Sequence, residues 1–409
     1  MKLLPHQEVS KQFLLDKKRC ILADEPRVGK TLATASAALQ NLPALIVCPA
    51  IVKTVWMSAF TNLDPNVPVA IINGKKNATS IGADGITIIN YDLLGAITEV
   101  GKFNTLVLDE SHRIKSPKTI RTKAALKLMK NIPNVYALSG TPIPNRPIEL
   151  YPLLKGLGIY KGGYYDFASR YARMWKAPWG MDVSGASNLP ELKDKMKPYV
   201  LRRKKADVFT EYQEPIVSLI TFDLPVDHRE KDFNSDSLID HPNPMLAFEG
   251  LSEVMKEAGL RKVKPAIEFI LDKLETGEPI VVFAHHKEVV HEIKEGLQKH
   301  GYEASVITGE TAQAKREGII GDFQSRKHQV FIGNLSACQE GIDLSVADIV
   351  VFIEATWQTS ALLQASSRIE NINKVGCAPL IYLLTIARSL DHTVLKKVLQ
   401  KQNIVNQII

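Results

Sequence analysis

The chain is poor in the features that would place it in an oxidising or membrane setting. Its four cysteines, Cys20, Cys48, Cys338 and Cys377, are scattered over 409 residues, and no two form a Cys-x-x-Cys pair. That spacing excludes a disulfide framework and a structural zinc site, and it fits a reducing compartment. Long apolar runs are also missing: none approaches the roughly 20 residues needed to span a bilayer. The opening MKLLPHQEVSK has no apolar stretch of the kind that drives secretion, so no leader is expected. There is no low-complexity tail and no residue-level repeat, which excludes a disordered arm and a solenoid.

What is present is ordinary for a globular protein: 45% hydrophobic and 23% charged residues. The length is too great for one core and suits two or three domains. A formal net charge of +7 favours a polyanionic partner such as nucleic acid.

The chain has two halves of similar rhythm around a different middle. From Cys20 to about Leu154, apolar runs (RCILAD, ALIVCPA, GITIINYD, TLVLDE, VYALSG) alternate with helix-like stretches. The rhythm returns from Glu278 with PIVVFAHH, YEASVITG, QVFIGN, DIVVFIEA and PLIYLLTIA. Runs of Val, Ile and Leu with little polar alternation predict parallel strands buried on both faces. Each half therefore predicts an α/β doubly wound sheet. The middle carries aromatic and glycine clusters, the run RRKK at 202–205, and a polar, proline-bearing stretch at 223–246 that predicts an exposed connection. The expected division is 1–155, 156–265 and 266–409.

The stretch ILADEPRVGKTLATASAAL, from Ile21 to Leu39, raises the central chemical question. It ends in Gly29-Lys30-Thr31 like a phosphate-binding loop, but Asp24 stands where a regular G-x-x-x-x-G-K-[ST] loop has glycine. A strand, a tight loop and the start of an Ala-rich helix form the geometry that holds phosphate. Lys30 is placed to reach the β/γ-phosphates and the Thr31 hydroxyl to hold magnesium. The companion is VLDESH, Val107 to His112, where an apolar strand ends in two carboxylates. Asp109 can hold the metal while Glu110 orients or activates water. Read alone, this pair could also be a solvated strand end.

Further segments follow in a fixed order: LPHQ with Gln7, LIVCPAIVKTVW, LSGTPIPNRPIEL, WGMDVSGASNLPELK, YVLRRKKADV, VVFAHHK, ITGET, ACQEGIDL and QASSRIENIN. With the two motifs above, this series resembles the Swi/Snf class of superfamily 2 helicase-type ATPases along nearly the whole chain. Within the class it is most similar to the branch of annealing helicases and fork remodellers that includes the HepA-related protein. In this class the first loop position is commonly not glycine.

The resemblance implies two RecA-like doubly wound lobes with a mainly helical insertion between them. It implies ATP and magnesium as cofactors and double-stranded or branched DNA as partner, with no membrane role, a monomeric chain and unassigned protein partners. Gln7, Asp24, Glu25, Val28, Gly29, Lys30 and Thr31, with Gly341 and Asp343, are implied to contact the nucleotide or link its state to DNA grip. Thr31 and Asp109 would hold magnesium. Pro49, Ser139, Gly140, Thr141, Thr308 and Gly309 are implied to touch DNA or couple the lobes. Arg368 is implied to be a finger toward the γ-phosphate. Two positions depart from the class: Arg27 replaces a loop glycine, and Asn371 stands where a second finger arginine is usual. The RRKK run is implied to lie in a brace, in a structural and arginine-contact role.

The expected activity is DNA-dependent ATP hydrolysis with translocation on duplex DNA and remodelling of branched DNA, by branch migration, fork regression or strand annealing. Alternatives are a nucleoprotein remodeller, a weakly hydrolysing ATP- and DNA-binding module, and an unrelated phosphate-loop kinase, which would leave the second half unexplained. The lack of room for a chromatin-reading module predicts a cytoplasmic, nucleoid-associated protein of a bacterial or phage-infected cell, or a nuclear one if eukaryotic.

Overall fold

The computed structural model describes residues 2–78, 80–81, 84–100, 103–140, 146–177, 180–233, 250–338, 342–354, 359–370 and 378–396. Two compact units meet in sequence between Val208 and Phe209. Each is a parallel-sheet α/β unit, as the apolar runs predict.

In the first unit, α1 (Pro5–Lys17) leads into β1 (Arg19–Leu22), followed by α2 (Lys30–Ala38), β2 (Ala44–Cys48) and α3 (Lys53–Leu63). Next come β3 (Val69–Ile71), β4 (Ile86–Asn90), β5 (Thr105–Leu108), α4 (Ile120–Asn131) and β6 (Asn134–Leu138). The unit continues through α5 (Tyr151–Leu157), α6 (Tyr164–Tyr171), a hairpin of β7 (Trp175–Ala177) and β8 (Gly180–Asp182), α7 (Leu189–Met196) and β9 (Val200–Leu201). Seven strands pair in parallel in the order β9-β1-β6-β5-β2-β4-β3. Every residue of β2, β5 and β6 is buried, because helices cover both faces.

Two devices fix the ends of these elements. α1 starts at Pro5, whose missing N–H would have no helical partner there, and the Leu4 amide donates to Gln7 Oε1 at 2.9 Å. At the opposite end of β1, Arg19 donates to the carbonyls of Met129 (2.8 Å), Ile132 (2.8 Å) and Gly156 (2.6 Å). A cation thus satisfies carbonyls left open near the ends of α4 and α5.

The second unit contains β10 (Ile216–Phe222), α8 (Leu251–Leu274), β11 (Ile280–Ala284), α9 (Lys287–Lys299) and β12 (Ala304–Ile307). It continues with α10 (Gln313–Gln324), β13 (Val330–Asn334), β14 (Ile349–Phe352), α11 (Thr359–Ser366) and β15 (Leu380–Ile386). Its six strands are parallel in the order β10-β15-β14-β11-β13-β12. Lys262 on α8 is fully buried and is satisfied by Asp391 (2.8 Å) and the Leu384 carbonyl (3.1 Å).

Strands β3, β9 and β10 have little signature in the sequence. The first two are three and two residues long. β10 is an edge strand whose exposure alternates, so it lacks the continuous apolar run of its neighbours.

Candidate nucleotide site

Phosphate-loop residues gather at the C-terminal end of β1, where an open parallel sheet offers its crevice. Gly29 sits in the left-handed region at φ +91° and begins α2. A Cβ there would lie 2.1 Å from Gln7 Nε2, so the Gln7 amide lies directly against the loop and only glycine fits beneath it. His6 Nε2 reaches the Val28 carbonyl at 2.9 Å. The first turn of α1 is therefore part of the loop's wall.

Lys30 donates to the carbonyls of Asp24 (2.6 Å) and Glu25 (3.0 Å). Burial pushes its ammonium below the usual lysine range, and the surrounding Glu110, Asp24, Asp109 and Glu25 carboxylates pull it back up. β1 and β5 are parallel in one sheet with β6 between them, so the loop lysine and the two carboxylates of VLDESH lie at the same sheet end. Thr31 follows Lys30 in the first turn of α2 and is half-buried.

Arg27 also takes a left-handed conformation, at φ +67°. A side chain there costs about 1–2 kcal/mol relative to the right-handed region, which explains why the class favours glycine at this position. The loop tolerates the arginine without losing its turn.

Asp109 is held from two directions. The indole of Trp56, on α3 and fully buried, donates to Oδ2 at 2.7 Å, and the Glu110 amide donates to Oδ1 at 3.0 Å. The buried Tyr91 hydroxyl donates to the Asp109 carbonyl at 2.7 Å. A fixed carboxylate at Asp109, a hydroxyl at Thr31 in the first turn of α2 and the phosphates of a nucleotide are the hard oxygen types that suit magnesium. Glu110 has φ +51°, an uncommon backbone state for this residue type at a strand end. Its Oε2 lies 3.3 Å from His112 Nδ1, which also reaches Ser139 Oγ at 3.1 Å. A Cβ on Gly140 would lie 3.0 Å from the Pro26 ring, so the Ser139-Gly140 turn abuts the phosphate loop. Pro49 lies at the C-terminal end of β2, on the same side of the sheet.

The carboxylates of Asp24 and Glu25 are hydrogen-bonded to residues 203–205. Asp24 accepts from the Arg203 amide (2.9 Å), from Nε (3.2 Å) and from Nη2. Glu25 Oε2 accepts from the Lys205 amide at 2.9 Å. The Lys205 side chain is buried, which lowers its ammonium to about 8; Glu25 opposes the shift, and Lys30 and Arg27 add to it.

In the second unit, Thr308 and Gly309 form a turn after β12, braced by Arg316, which donates to the carbonyls of Thr308 (3.3 Å) and Thr311 (3.2 Å). No neighbouring atom forces glycine at Gly309, which is exposed. The carbonyl of Arg368 accepts from the Leu344 amide at 3.0 Å, beside the exposed Asp343. Thr141, Gly341 and Asn371 lie outside the described residues.

Trp56 and Tyr91 are site-supporting residues that composition and spacing do not mark out, since each reaches Asp109 from a remote element. The tryptophan closing LIVCPAIVKTVW is the one available signal. Trp56→Phe keeps the ring packing but removes the Oδ2 donor. It is expected to raise the magnesium concentration for half-maximal ATP turnover by about tenfold or more, the usual scale for losing a residue that orients a metal ligand, and a magnesium titration of turnover checks it.

The SNF2-related domain family matches residues 6–259, and the helicase conserved C-terminal domain family matches residues 261–373. The SWI/SNF-related matrix-associated actin-dependent regulator of chromatin subfamily A-like protein 1 of Xenopus laevis is 32% identical over 415 residues, covering 95% of this chain and 42% of its own length. The DNA annealing helicase and endonuclease ZRANB3 of Homo sapiens is 27% identical over 412 residues, covering 94% of this chain and 38% of its own. A solved Sulfolobus solfataricus SWI2/SNF2 ATPase core in complex with dsDNA is 22% identical, covers 100% of this chain and 93% of that chain, and superposes with a TM-score of 0.49. The chain spans less than half the length of these curated relatives. No helix among the described residues is long and apolar enough to cross a membrane.

Proposed function

The chain belongs to the SNF2-related family, and from that premise we propose that it is a DNA-dependent ATPase that translocates on duplex DNA and remodels branched DNA. The observation that carries the reading is the gathering of Lys30, Asp109 and Glu110 at one sheet end, beyond the parallel strands β1 and β5. A relative named as a DNA annealing helicase supports the branched-DNA substrate.

In this reading Lys30 leaves the Asp24 and Glu25 carbonyls to neutralise charge on the β/γ-phosphates of ATP. Thr31 and Asp109 would hold magnesium, which when bound would supply Lewis-acid charge at those phosphates. Glu110, set by its strained backbone, orients the attacking water. Residues 1–155 and 266–409 act as the cores of the two motor lobes, and the brace segment 156–265 divides between them, 156–208 joining the first unit and 209–265 the second. Thr308 and Gly309 touch the DNA backbone on the second lobe, with the Thr308 amide itself committed to Thr311 Oγ1 at 3.0 Å. The working form is a monomer in the cytoplasm of a bacterial or phage-infected cell.

Steady-state ATP hydrolysis against single-stranded, duplex and forked DNA tests the proposal. Turnover is expected to rise at least tenfold with duplex or forked DNA, and the half-saturating DNA concentration to climb steeply with salt, since phosphate contacts dominate. Hydrolysis that no DNA stimulates would leave an ATP-binding module and sink the motor.

A further inference from the structure

Asp24, the residue that replaces the usual loop glycine, is 1% exposed, and its carboxylate is committed to one partner, Arg203. The same guanidinium donates from Nη1 to the His6 carbonyl at 2.7 Å and from Nη2 to Ser10 Oγ. One side chain therefore bonds to the phosphate loop and to two successive turns of α1. Backbone bonds run in parallel: the Ala23 amide to the Leu201 carbonyl (2.7 Å), the Glu25 amide to the Arg203 carbonyl (3.1 Å), and the Lys205 amide to Glu25 Oε2 (2.9 Å).

The geometry has a direct consequence for the loop. α1 carries His6, bonded to the Val28 carbonyl, and Gln7, wedged against Gly29. The loop's two ends thus meet α1 independently, at Asp24 through Arg203 and at Val28-Gly29 through His6 and Gln7. Arg203 bridges the first of these ends to α1 at His6 and Ser10.

We propose that Arg203 is a positioning residue for nucleotide binding: paired with Asp24, it locks α1 against the phosphate loop and sets the loop's width before a nucleotide arrives. The planar five-donor fork is needed because three acceptors on two elements must be held at once, which a lysine ammonium at the end of a flexible stem does not reproduce. The aspartate at the glycine position is then the anchor of this lock. The inference rests on reading the loop as a nucleotide site.

The test uses the full chain and a fluorescent ATP analogue with magnesium, titrated against wild type, Arg203→Lys, Asp24→Asn and Arg19→Lys, with thermal midpoints and ATP turnover measured alongside. Arg19 is the control, because it bonds three carbonyls of α4 and α5 at the far end of β1. Arg203→Lys and Asp24→Asn are expected to weaken analogue binding tenfold or more, and to raise KM for ATP more than they lower kcat. Arg19→Lys is expected to lower the thermal midpoint with affinity unchanged. If Asp24→Asn, which keeps shape but loses the charge and one of the two oxygens that accept from Arg203, binds the analogue as wild type does, the lock is refuted. It is refuted equally if Arg203→Lys and Arg19→Lys both lose midpoint alone. Should Arg203→Lys fail to fold, Asp24→Asn decides. A wild type that binds no analogue refutes the nucleotide site itself and is told apart from failure of the lock by that first titration.

Discussion

Lys30→Ala and Glu110→Gln are each expected to abolish ATP hydrolysis, by separable routes. The half-buried Lys30 ammonium is the loop cation that Glu110 and Asp109 act on most directly, since Asp24 and Glu25 are bonded to residues 203–205. Without it, nucleotide phosphates face the Asp109 and Glu110 carboxylates without the Lys30 charge, so both affinity and turnover should fall. Glu110→Gln keeps the side-chain shape and removes the basic oxygen, so the analogue should bind as in wild type while turnover drops by about 10²-fold or more, the usual contribution of a positioned base. Binding titrations and single-turnover hydrolysis on the same samples separate the two. Wild-type turnover in either variant would show that these residues are not the site.

Arg368→Ala is the second large effect. In the proposed motor its guanidinium stabilises charge that develops on the γ-phosphate only in the working complex with DNA. DNA-stimulated turnover should then fall by about 10³-fold or more, with analogue binding nearly unchanged. Asn371→Arg restores the second arginine usual in the class and reports whether one finger limits the rate: faster turnover means it does. If Arg368→Ala leaves DNA-stimulated turnover intact, this mechanism is wrong.

The sequence shows its strands most clearly where both faces are buried. ALIVC, TLVL and IVVFA are continuous apolar runs because helices cover them on two sides. Edge strands lose that signature: IVSLITF alternates, and Val200–Leu201 is too short to read. The reacting groups are legible because phosphate and metal chemistry admits few residue types at fixed spacing, hence Lys30, Thr31, Asp109 and Glu110. Their supports are not. Trp56 lies 53 positions from Asp109 and Arg203 lies 179 from Asp24, and no local pattern encodes a hydrogen bond across such separations. Asp24 reads as a mere departure from the loop pattern until its partner is seen. Arg27 reads as a clash, yet its left-handed backbone shows that the turn kept the shape a glycine would give it.

The pairing of Val200–Leu201 with Ile21-Leu22 carries a cost in time. Synthesis proceeds at about 5–20 residues per second, so Asp24 leaves the ribosome roughly 10–35 s before Arg203 can meet it. Once Asn134–Leu138 has paired on one side, Ile21 and Leu22 remain an apolar sheet edge with no neighbour on the other until Val200–Leu201 arrives, the kind of surface that recruits strands from other chains. Contacts this remote in sequence also form late in folding, because loop closure must precede the reward. Once Arg203 docks, removing it would leave a buried carboxylate uncompensated, a loss of about 3–5 kcal/mol. The last strand laid down in the first unit is therefore also its seal. A nascent chain halted near residue 155 would hold most of a finished sheet and still present its stickiest edge to its neighbours.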